Sequence, residues 1–588
     1  MRKTAIIAAL LVAIGLSLSG LFDNEAMYGK IHADAQGYYG YLVAVFLEQS
    51  FDWEQVIHSY ADVYFGGGGS DFTVQSDFGR INKYYAGASL LMLPFFLVSC
   101  LCAWLFGFPL DGYSAPFQYG ITFGALFYVG VGLYFLSRFL EARGISKGVS
   151  IFTVLCCLFA TGLFHYSVSE PAMSHAYSFG LVCVFMFSVD RWLSTDKRID
   201  LLASSLVFGL IVLVRPVNGL VILSVPFIAG GLKPLLEKLK GKDGLIKKLG
   251  LGVLVVFGVL LIQSAMYLAQ VGEPLVWSYQ DEGFNFSNPK IWNVLFSYKK
   301  GFFIYTPIGV LAAVGLVLHL IKKPKEGVWL WLFLAISVYV ISSWWNWYYG
   351  GSFGMRALIE FLPFAAFGLA YLIQSVGKPL RLMVGIACVF FVGVNLIQSY
   401  QYQKFILHWV GMDEARYWEV FLKTDREYDG IFYRRDMTLS TKSFETDLEP
   451  GTMWGNQGLD STLAFSGQRS TVVGGGNSYG STIGIPVSEL GEVGKRELHF
   501  SAMVWCEKPQ QELSLAYSFR NDSSDYGHAY IQLGQLLTEG NQWVKITKIE
   551  ALGKPVSVDD NWIVYPFSEG QTKVYLDDLK YEIVTLRE

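Results

Sequence analysis

The chain is poor in charge. Of its 588 residues, 16% are Asp, Glu, Lys or Arg and 53% are hydrophobic, with a mean hydropathy of +0.38. Soluble domains carry about 25% charged residues, so a single water-soluble globule is excluded, and the length exceeds one domain. Nucleic-acid binding has no support either: the net charge is −4, and the basic residues are confined to short loops between apolar runs. Acidic residues collect in the first loop and the C-terminal third. A disulfide framework is missing as well. Of the seven cysteines, Cys100, Cys102, Cys156, Cys157, Cys183 and Cys388 lie in apolar segments and Cys506 stands alone in the polar C-terminal part; no CxxC metal site follows. Nor is there a phosphate loop. Gly66-Gly67-Gly68-Gly69-Ser70 lacks the Lys-Ser/Thr and helix that would make it one, and reads as a flexible linker.

What the chain has is a series of apolar runs. Thr4 to Phe22, after Arg2 and Lys3, is short enough for a cleaved signal peptide and is read here as an uncleaved first span. Further spans are expected near Phe117–Phe139, Val149–His165, Ala176–Leu193, Leu201–Val214, Gly219–Leu232, Leu249–Ala269, Pro307–Ile321, Val328–Ser343, Leu358–Ile373 and Leu382–Ile397. At roughly 20 apolar residues per crossing, that makes about eleven. Positive charge marks the cytoplasmic loops: Arg138, Arg143 and Lys147; Lys197 and Arg198; Lys233 to Lys248; Lys322, Lys323 and Lys325; Lys378 and Arg381. Counting Ala86 to Phe106 as a crossing would push the first of these loops outside, so that run, with Pro94, is expected to be a shallow or re-entrant outer-face element.

The outer loops then hold the chemistry. Asp34 sits beside Tyr38, Tyr39 and Tyr41, whose rings offer flat apolar faces with hydroxyl tips; Gly37 and Gly40 allow close backbone approach. Tyr38 to Glu48 has the pattern of an interfacial helix. Lys83 with Tyr84, Glu170, His175, Arg215 and Arg356 are the other outer-face polar candidates. Arg356 stands four residues before Glu360, at helical ion-pair spacing. Arg215 is placed equally well as a span terminus reaching the interface. Trp344, Trp345, Trp347, Tyr348 and Tyr349 form either an aromatic belt or a sugar-stacking wall, and the following Gly350-Gly351 favours a cavity.

After about residue 400 the pattern changes to short alternating segments. Leu498–Trp505, Glu512–Phe519, Ala529–Leu533, Val544–Ile549, Asn561–Pro566 and Thr572–Ile583 read as strands, and a jelly-roll β-sandwich is expected. The organisation is therefore 1–400 transmembrane, with its first outer loop at 23–116, then a linker at 401–440 and an outer β-sandwich at 441–588.

This layout resembles the GT-C superfamily of polyprenyl-phosphate-dependent glycosyltransferases. The likeness is greatest to bacterial relatives of protein O-mannosyltransferase and aminoarabinose transferase. It covers about residues 1–400, with local matches at Asp34 and Gly37-Tyr38-Tyr39, at Asn82 to Gly87 leading into Leu93-Pro94-Phe95, and at Gly350–Arg356. The resemblance implies an inverting transfer of a sugar from a polyprenyl-phosphate donor to a glycan, lipid or protein acceptor, at the outer face of a bacterial inner membrane. Asp34 would be the general base. Tyr38, Tyr39, Lys83, Tyr84, Glu170, His175, Arg215, Trp347, Tyr348 and Arg356 would contact substrate. Many members carry an adjacent acidic pair where Asp34 is flanked by Ala33 and Ala35, so a divalent cation has little support. The C-terminal part resembles carbohydrate-binding jelly rolls in Ala464–Gly467, Gln542-Trp543 and Val574–Leu579, where Asp577 or Asp578 could ligate a structural calcium. A glycan polymerase or ligase, and a transporter or flippase of lipid-linked sugars, are the alternatives. The second is disfavoured by the scarcity of ionisable residues at mid-span. Asn285-Phe286-Ser287 and Asn521-Asp522-Ser523 match glycosylation acceptors without establishing a source.

Overall fold

The computed structural model describes residues 2–21, 29–57, 72–240, 244–448, 458–491, 495–509, 512–521 and 524–586. The Gly66–Ser70 run and, of the Asn521 triplet, Asp522 and Ser523 lie outside them. The chain divides into two units, Met1–Ile431 and Phe432–Glu588.

The first unit is helical because its apolar runs must satisfy their backbone groups internally when no water is at hand. The expected spans coincide with helices at Arg2–Leu18, Ala115–Ala142, Lys147–Phe159, Ser174–Thr195, Arg198–Val214, Leu245–Val271, Ile308–Lys322, Pro324–Ser342, Leu362–Ser375 and Lys378–Gln403. Among the described residues, seven helices are long and apolar enough to cross a membrane, and a bent pair would make eight. That pair is where regularity fails. The run expected as one span near Gly219–Leu232 is a 3-10 segment, Pro216–Ser224, then a short helix, Val225–Ala229, then Leu232–Lys240 turned by 85°.

The helices give the unit two chemically different ends. At one end of the Ala115–Ala142 helix, Gln118 accepts from the Lys30 amide at 2.7 Å, close to Asp34. At the other end Arg143 pairs with Asp190 at 3.0 Å and Glu326 at 3.3 Å, drawing in the basic loops. Gly87–Phe106 is one uninterrupted helix through Pro94, apolar and long enough to cross. It packs against the Ala115–Ala142 helix, with Ser99 on Gly120 and Phe95 on Gly124, and Gly87 lies against Leu213 and Val214.

The expected interfacial helix from Tyr38 is a correction. Asp34–Val43 is helical and continues as a π-type turn, Ala44–Glu48, but every residue from Ala35 to Ala44 is buried. Gly37 and Gly40 explain it. An added Cβ on Gly37 would stand 2.1 Å from the Tyr84 ring, and one on Gly40 would stand 3.0 Å from Phe72, so the close approach these glycines permit is made by the chain's own aromatics.

The second unit is a β-sandwich of two antiparallel sheets. One orders Trp543–Leu552, Lys495–Cys506, Val574–Leu586, Ser470–Val473 and Leu459–Asp460, with Thr438–Thr446 also on Val574–Leu586; the other orders Ile483–Pro486, Asn561–Phe567, Ser514–Arg520 and Asp525–Gln532. The strict alternation of burial along Lys495–Cys506 turns Leu498, Phe500, Ala502 and Val504 inward to meet Trp562, Phe519 and Tyr581. The stretch expected as a linker carries the helices Glu414–Val420 and Ile431–Met437. Calcium at Asp577 has a competitor: its carboxylate already accepts the amides of Phe465 at 2.8 Å, Ser466 at 3.0 Å and Asp578 at 2.8 Å, while Ser466 donates to Asp578 at 2.5 Å.

Candidate active site

A cavity of about 640 Å³ opens at the Asp34 end of the helical unit. Asp34 is the first residue of its helix, where the helix dipole favours a carboxylate. It follows Ala33, held at φ 51°, a left-handed conformation that costs a non-glycine residue on the order of 1 kcal/mol. The neighbouring hairpin, Thr73–Ser76 with Gly79–Asn82, delivers two more cavity residues. Asn82 donates to the Gly37 carbonyl at 2.8 Å and accepts from the Tyr84 amide at 2.9 Å, which fixes Lys83 and Tyr84 over the Asp34 helix.

Asp34 meets Arg356 at 2.5 Å. Burial opposes its ionisation, yet Arg356, the Tyr84 hydroxyl and Lys83 outweigh burial and hold the carboxyl below the usual aspartate value of 3.8. Burial and then the charge of Asp34 push the Tyr84 hydroxyl well above its ordinary range, so it stays a donor. The expected helical pair between Arg356 and Glu360 is therefore a correction. Residues Arg356–Phe361 form a 3-10 turn, whose three residues per turn do not bring position i over i+4. Glu360 instead accepts from Arg215 at 2.8 Å and meets His175 at 2.9 Å. Asn218 adds a bond to Ser178 at 3.1 Å, so three segments are tied together under the cavity floor. Lys83 pairs with Glu282 and lies 5.4 Å above the Tyr279 ring.

Asp34, Tyr38, Lys83, Tyr84, His175, Arg215 and Arg356 all line the cavity. Four expected residues do not. Tyr39 is fully buried, donates to the Gly112 carbonyl at 2.5 Å and packs on Phe96 and Tyr113; adjacent helix positions differ by about 100°, so Tyr38 and Tyr39 cannot share a face. Glu170 turns to His165 at 3.2 Å, whose other ring nitrogen meets Ser399 at 3.0 Å. Burial opposes its ionisation, but His165 holds its carboxyl below the ordinary glutamate range. This Ser-His-Glu row is buried throughout, so it serves packing and not a nucleophile's access. Tyr348 lies under the ammonium of Lys299, 3.6 Å from its ring centre, and Trp347 stands edge-on to the Tyr348 ring at 5.6 Å. The aromatic wall is made by their neighbours Trp344, Trp345 and Tyr349 with Trp277 and Tyr279. Tyr349, at φ 57°, reverses the chain at that point. Tyr279 and Glu282 were not singled out from the long 270–306 loop; their signal is the Trp277–Glu282 cluster of aromatic and acidic residues. Pairing of Asn285 with the Ser343 carbonyl at 2.6 Å and of Trp345 with the Gly283 carbonyl at 3.0 Å brings that loop to the cavity.

The lining also has apolar members, Val217, Leu220, Ile222, Leu223 and Val340. Of these, Ile222 and Leu223, on the irregular Pro216–Ser224 segment, are exposed. Among the described residues no group of three His, Cys, Asp or Glu side chains could hold a metal ion.

Fold and site together define a multi-pass membrane protein with a buried, charge-bearing cavity at one end and a separate β-sandwich. No family model and no curated protein matches the sequence. Among solved structures, the chain is similar to the arabinosyltransferase EmbB from Mycobacterium smegmatis, at 10% identity, covering 99% of this chain and 64% of that one with a TM-score of 0.36. It is similar also to an Archaeoglobus fulgidus oligosaccharyltransferase, at 11% identity, covering 74% and 59% with a TM-score of 0.37. A CBM22-1 xylan-binding domain from Paenibacillus barcinonensis Xyn10C matches 25% of this chain and 94% of its own, at 15% identity and a TM-score of 0.18.

Proposed function

We propose that the protein is a membrane glycosyltransferase that moves a sugar from a polyprenyl-phosphate donor to a glycan, lipid or protein acceptor at the outer face of a bacterial inner membrane. The observation that carries this reading is the Asp34–Arg356 pair in a cavity whose lining combines apolar, aromatic and cationic side chains. The apolar Ile222 and Leu223 suit an isoprenoid tail arriving from the bilayer, because they spare it contact with water that would cost about 0.8 kcal/mol for each CH₂. The aromatic wall suits a sugar ring, and Arg356, Arg215 and Lys83 suit its phosphate.

In the reaction, the acceptor hydroxyl attacks the anomeric carbon as its proton passes to an Asp34 carboxylate oxygen. The bond from that carbon to the lipid phosphate oxygen breaks, and the charge left on the phosphate is met by Arg356 and its cationic neighbours. Asp34 is paired with Arg356. A donor phosphate that draws Arg356 to itself leaves the carboxylate free for the acceptor, so donor binding prepares the base. Direct displacement inverts the anomeric centre. Reconstituted in liposomes with a polyprenyl-phosphate sugar and an envelope-glycan acceptor, the protein is expected to release polyprenyl phosphate and yield the opposite anomer by NMR. A product that retains configuration would sink the single-displacement scheme.

A further inference from the structure

Lys300 is 2% exposed, and among the described residues no carboxylate forms an ion pair with it. It sits in the tight Ser297–Gly301 turn, closed by a bond from the Gly301 amide to the Ser297 carbonyl at 2.6 Å. A Cβ at Gly301 would stand 2.5 Å from the Ser297 backbone. From there the Lys300 ammonium donates to two carbonyls on separate segments, Ser352 and Trp409, with the Tyr402 ring 5.4 Å away. Its neighbour Lys299 covers Tyr348.

Of the two carbonyls, that of Ser352 belongs to the loop that leads to Arg356, and Tyr348 lies just ahead of that loop. That loop takes two left-handed glycine conformations, Gly350 at φ 69° and Gly354 at φ 58°. Its other ties include Tyr166, which donates to the Phe353 carbonyl at 3.2 Å and accepts from its amide at 3.0 Å, the Trp409 ring against Gly351, and the Phe353 ring against His165, Tyr305 and Tyr402. Lys300 is thus a cross-brace between the 350–355 loop and the segment at Trp409, four residues ahead of the guanidinium that meets Asp34.

We infer that Lys300 is a positioning residue, whose two bonds hold the Gly350–Met355 loop so that Arg356 is presented at the cavity floor; its kinetic readout rests on the glycosyl-transfer reading above. Burial first, with the charges of Arg356 and Lys299 adding to it and Glu170 opposing, brings the Lys300 ammonium down to about 7. Loss of the proton leaves two N–H donors, but without charge assistance the bonds are about half as strong.

The test is hydrogen exchange by mass spectrometry on the full-length protein, with the 350–356 segment as reporter and the Leu362–Ser375 helix as internal control. Lys300→Met is expected to accelerate exchange in the loop about tenfold or more, the equivalent of one lost charge-assisted bond, and to leave the control unchanged. The wild-type loop, corrected for intrinsic exchange, is expected to loosen between about pH 6 and about pH 8, a measurement that needs no variant to fold. With a polyprenyl-phosphate sugar, Lys300→Met should raise the donor KM about tenfold with a smaller change in kcat, and should flatten the rise in KM that the wild type is expected to show above neutral pH. Unchanged loop exchange in both experiments overturns the inference. Accelerated exchange in a protein that shows no sugar transfer upholds the brace and removes the glycosyltransferase reading alone.

Discussion

Each of the two units carries a hollow of similar size, about 640 Å³ in the helical unit and about 700 Å³ on the β-sandwich, and they treat charge in opposite ways. On the sandwich, the cavity holds Lys545, Lys580, Glu445 and Asp578, and the pair of Lys580 with Glu445 at 2.7 Å is 38% and 60% exposed. In the helical unit the pair of Arg215 with Glu360 is 16% and 0% exposed, and Arg356 with Asp34 is 11% and 32% exposed. An exposed pair is worth about 0–1 kcal/mol because water competes for both partners. A buried pair returns little net stability, yet breaking it strands a charge in a low dielectric. A chain that gathers two arginines, a histidine and two carboxylates into one largely buried cluster is committed to that arrangement, which the exposed pair on the sandwich is not.

The contrast can be broken by substitution. The largest effect is expected at Asp34. Asp34→Asn keeps the shape and removes the proton acceptor, and should cost about 10²–10⁴ in turnover. Because its carboxyl lies below 3.8 in the folded state, Asp34 contributes stability that is present above that value and is lost only as pH falls through its lower folded value. The acid limb of kcat/KM, which reports the free enzyme, should accordingly lie below pH 3.8. An acid limb at higher pH that vanishes in Asp34→Asn would reject the depressed carboxyl.

Next is Glu360→Gln, which leaves Arg215 and His175 without their shared counter-charge and should destabilise the helical unit by about 3–5 kcal/mol, seen as a lowered thermal midpoint in detergent. Gly37→Ala should follow, since its methyl must displace the Tyr84 ring from 2.1 Å; overpacking of this kind costs about 1–3 kcal/mol and should also cut transfer by moving Tyr84 off Asp34. Lys580→Ala on the sandwich should change stability by less than about 1 kcal/mol. If Lys580→Ala and Glu360→Gln shift the midpoint equally, the contrast between the two cavities has no energetic content.

Much of this was legible from the sequence. Long apolar runs gave helices because a bilayer leaves the backbone no alternative, and alternation with turn residues gave the strands of the sandwich. Asp34, Lys83, His175, Arg215 and Arg356 stood out because charge is scarce in such a chain. The errors lie where periodicity carries no information. The Pro216–Lys240 segment is apolar enough for a span but breaks into 3-10 and bent pieces. Glu360 was paired with Arg356 on α-helical spacing that the 3-10 turn does not have. Trp347 and Tyr348 were read as wall because an irregular loop does not reveal which of five neighbouring aromatics faces inward. Lys300 gave no signal, since nothing in Lys299-Lys300-Gly301 indicates that one lysine is buried between two distant carbonyls.

The central claim is that Asp34 acts on the acceptor while Arg356 holds the donor phosphate, and binding without turnover tests it most directly. The full-length protein, its Asp34→Asn variant and its Arg356→Met variant would be titrated with polyprenyl phosphate in nanodiscs, with dissociation constants read by native mass spectrometry. The account predicts that Asp34→Asn binds the lipid phosphate as well as the wild type or better, since Arg356 is released from its partner, and that Arg356→Met binds about tenfold or more weakly for want of a charge-assisted contact. Weakened binding in Asp34→Asn together with unchanged binding in Arg356→Met would contradict it.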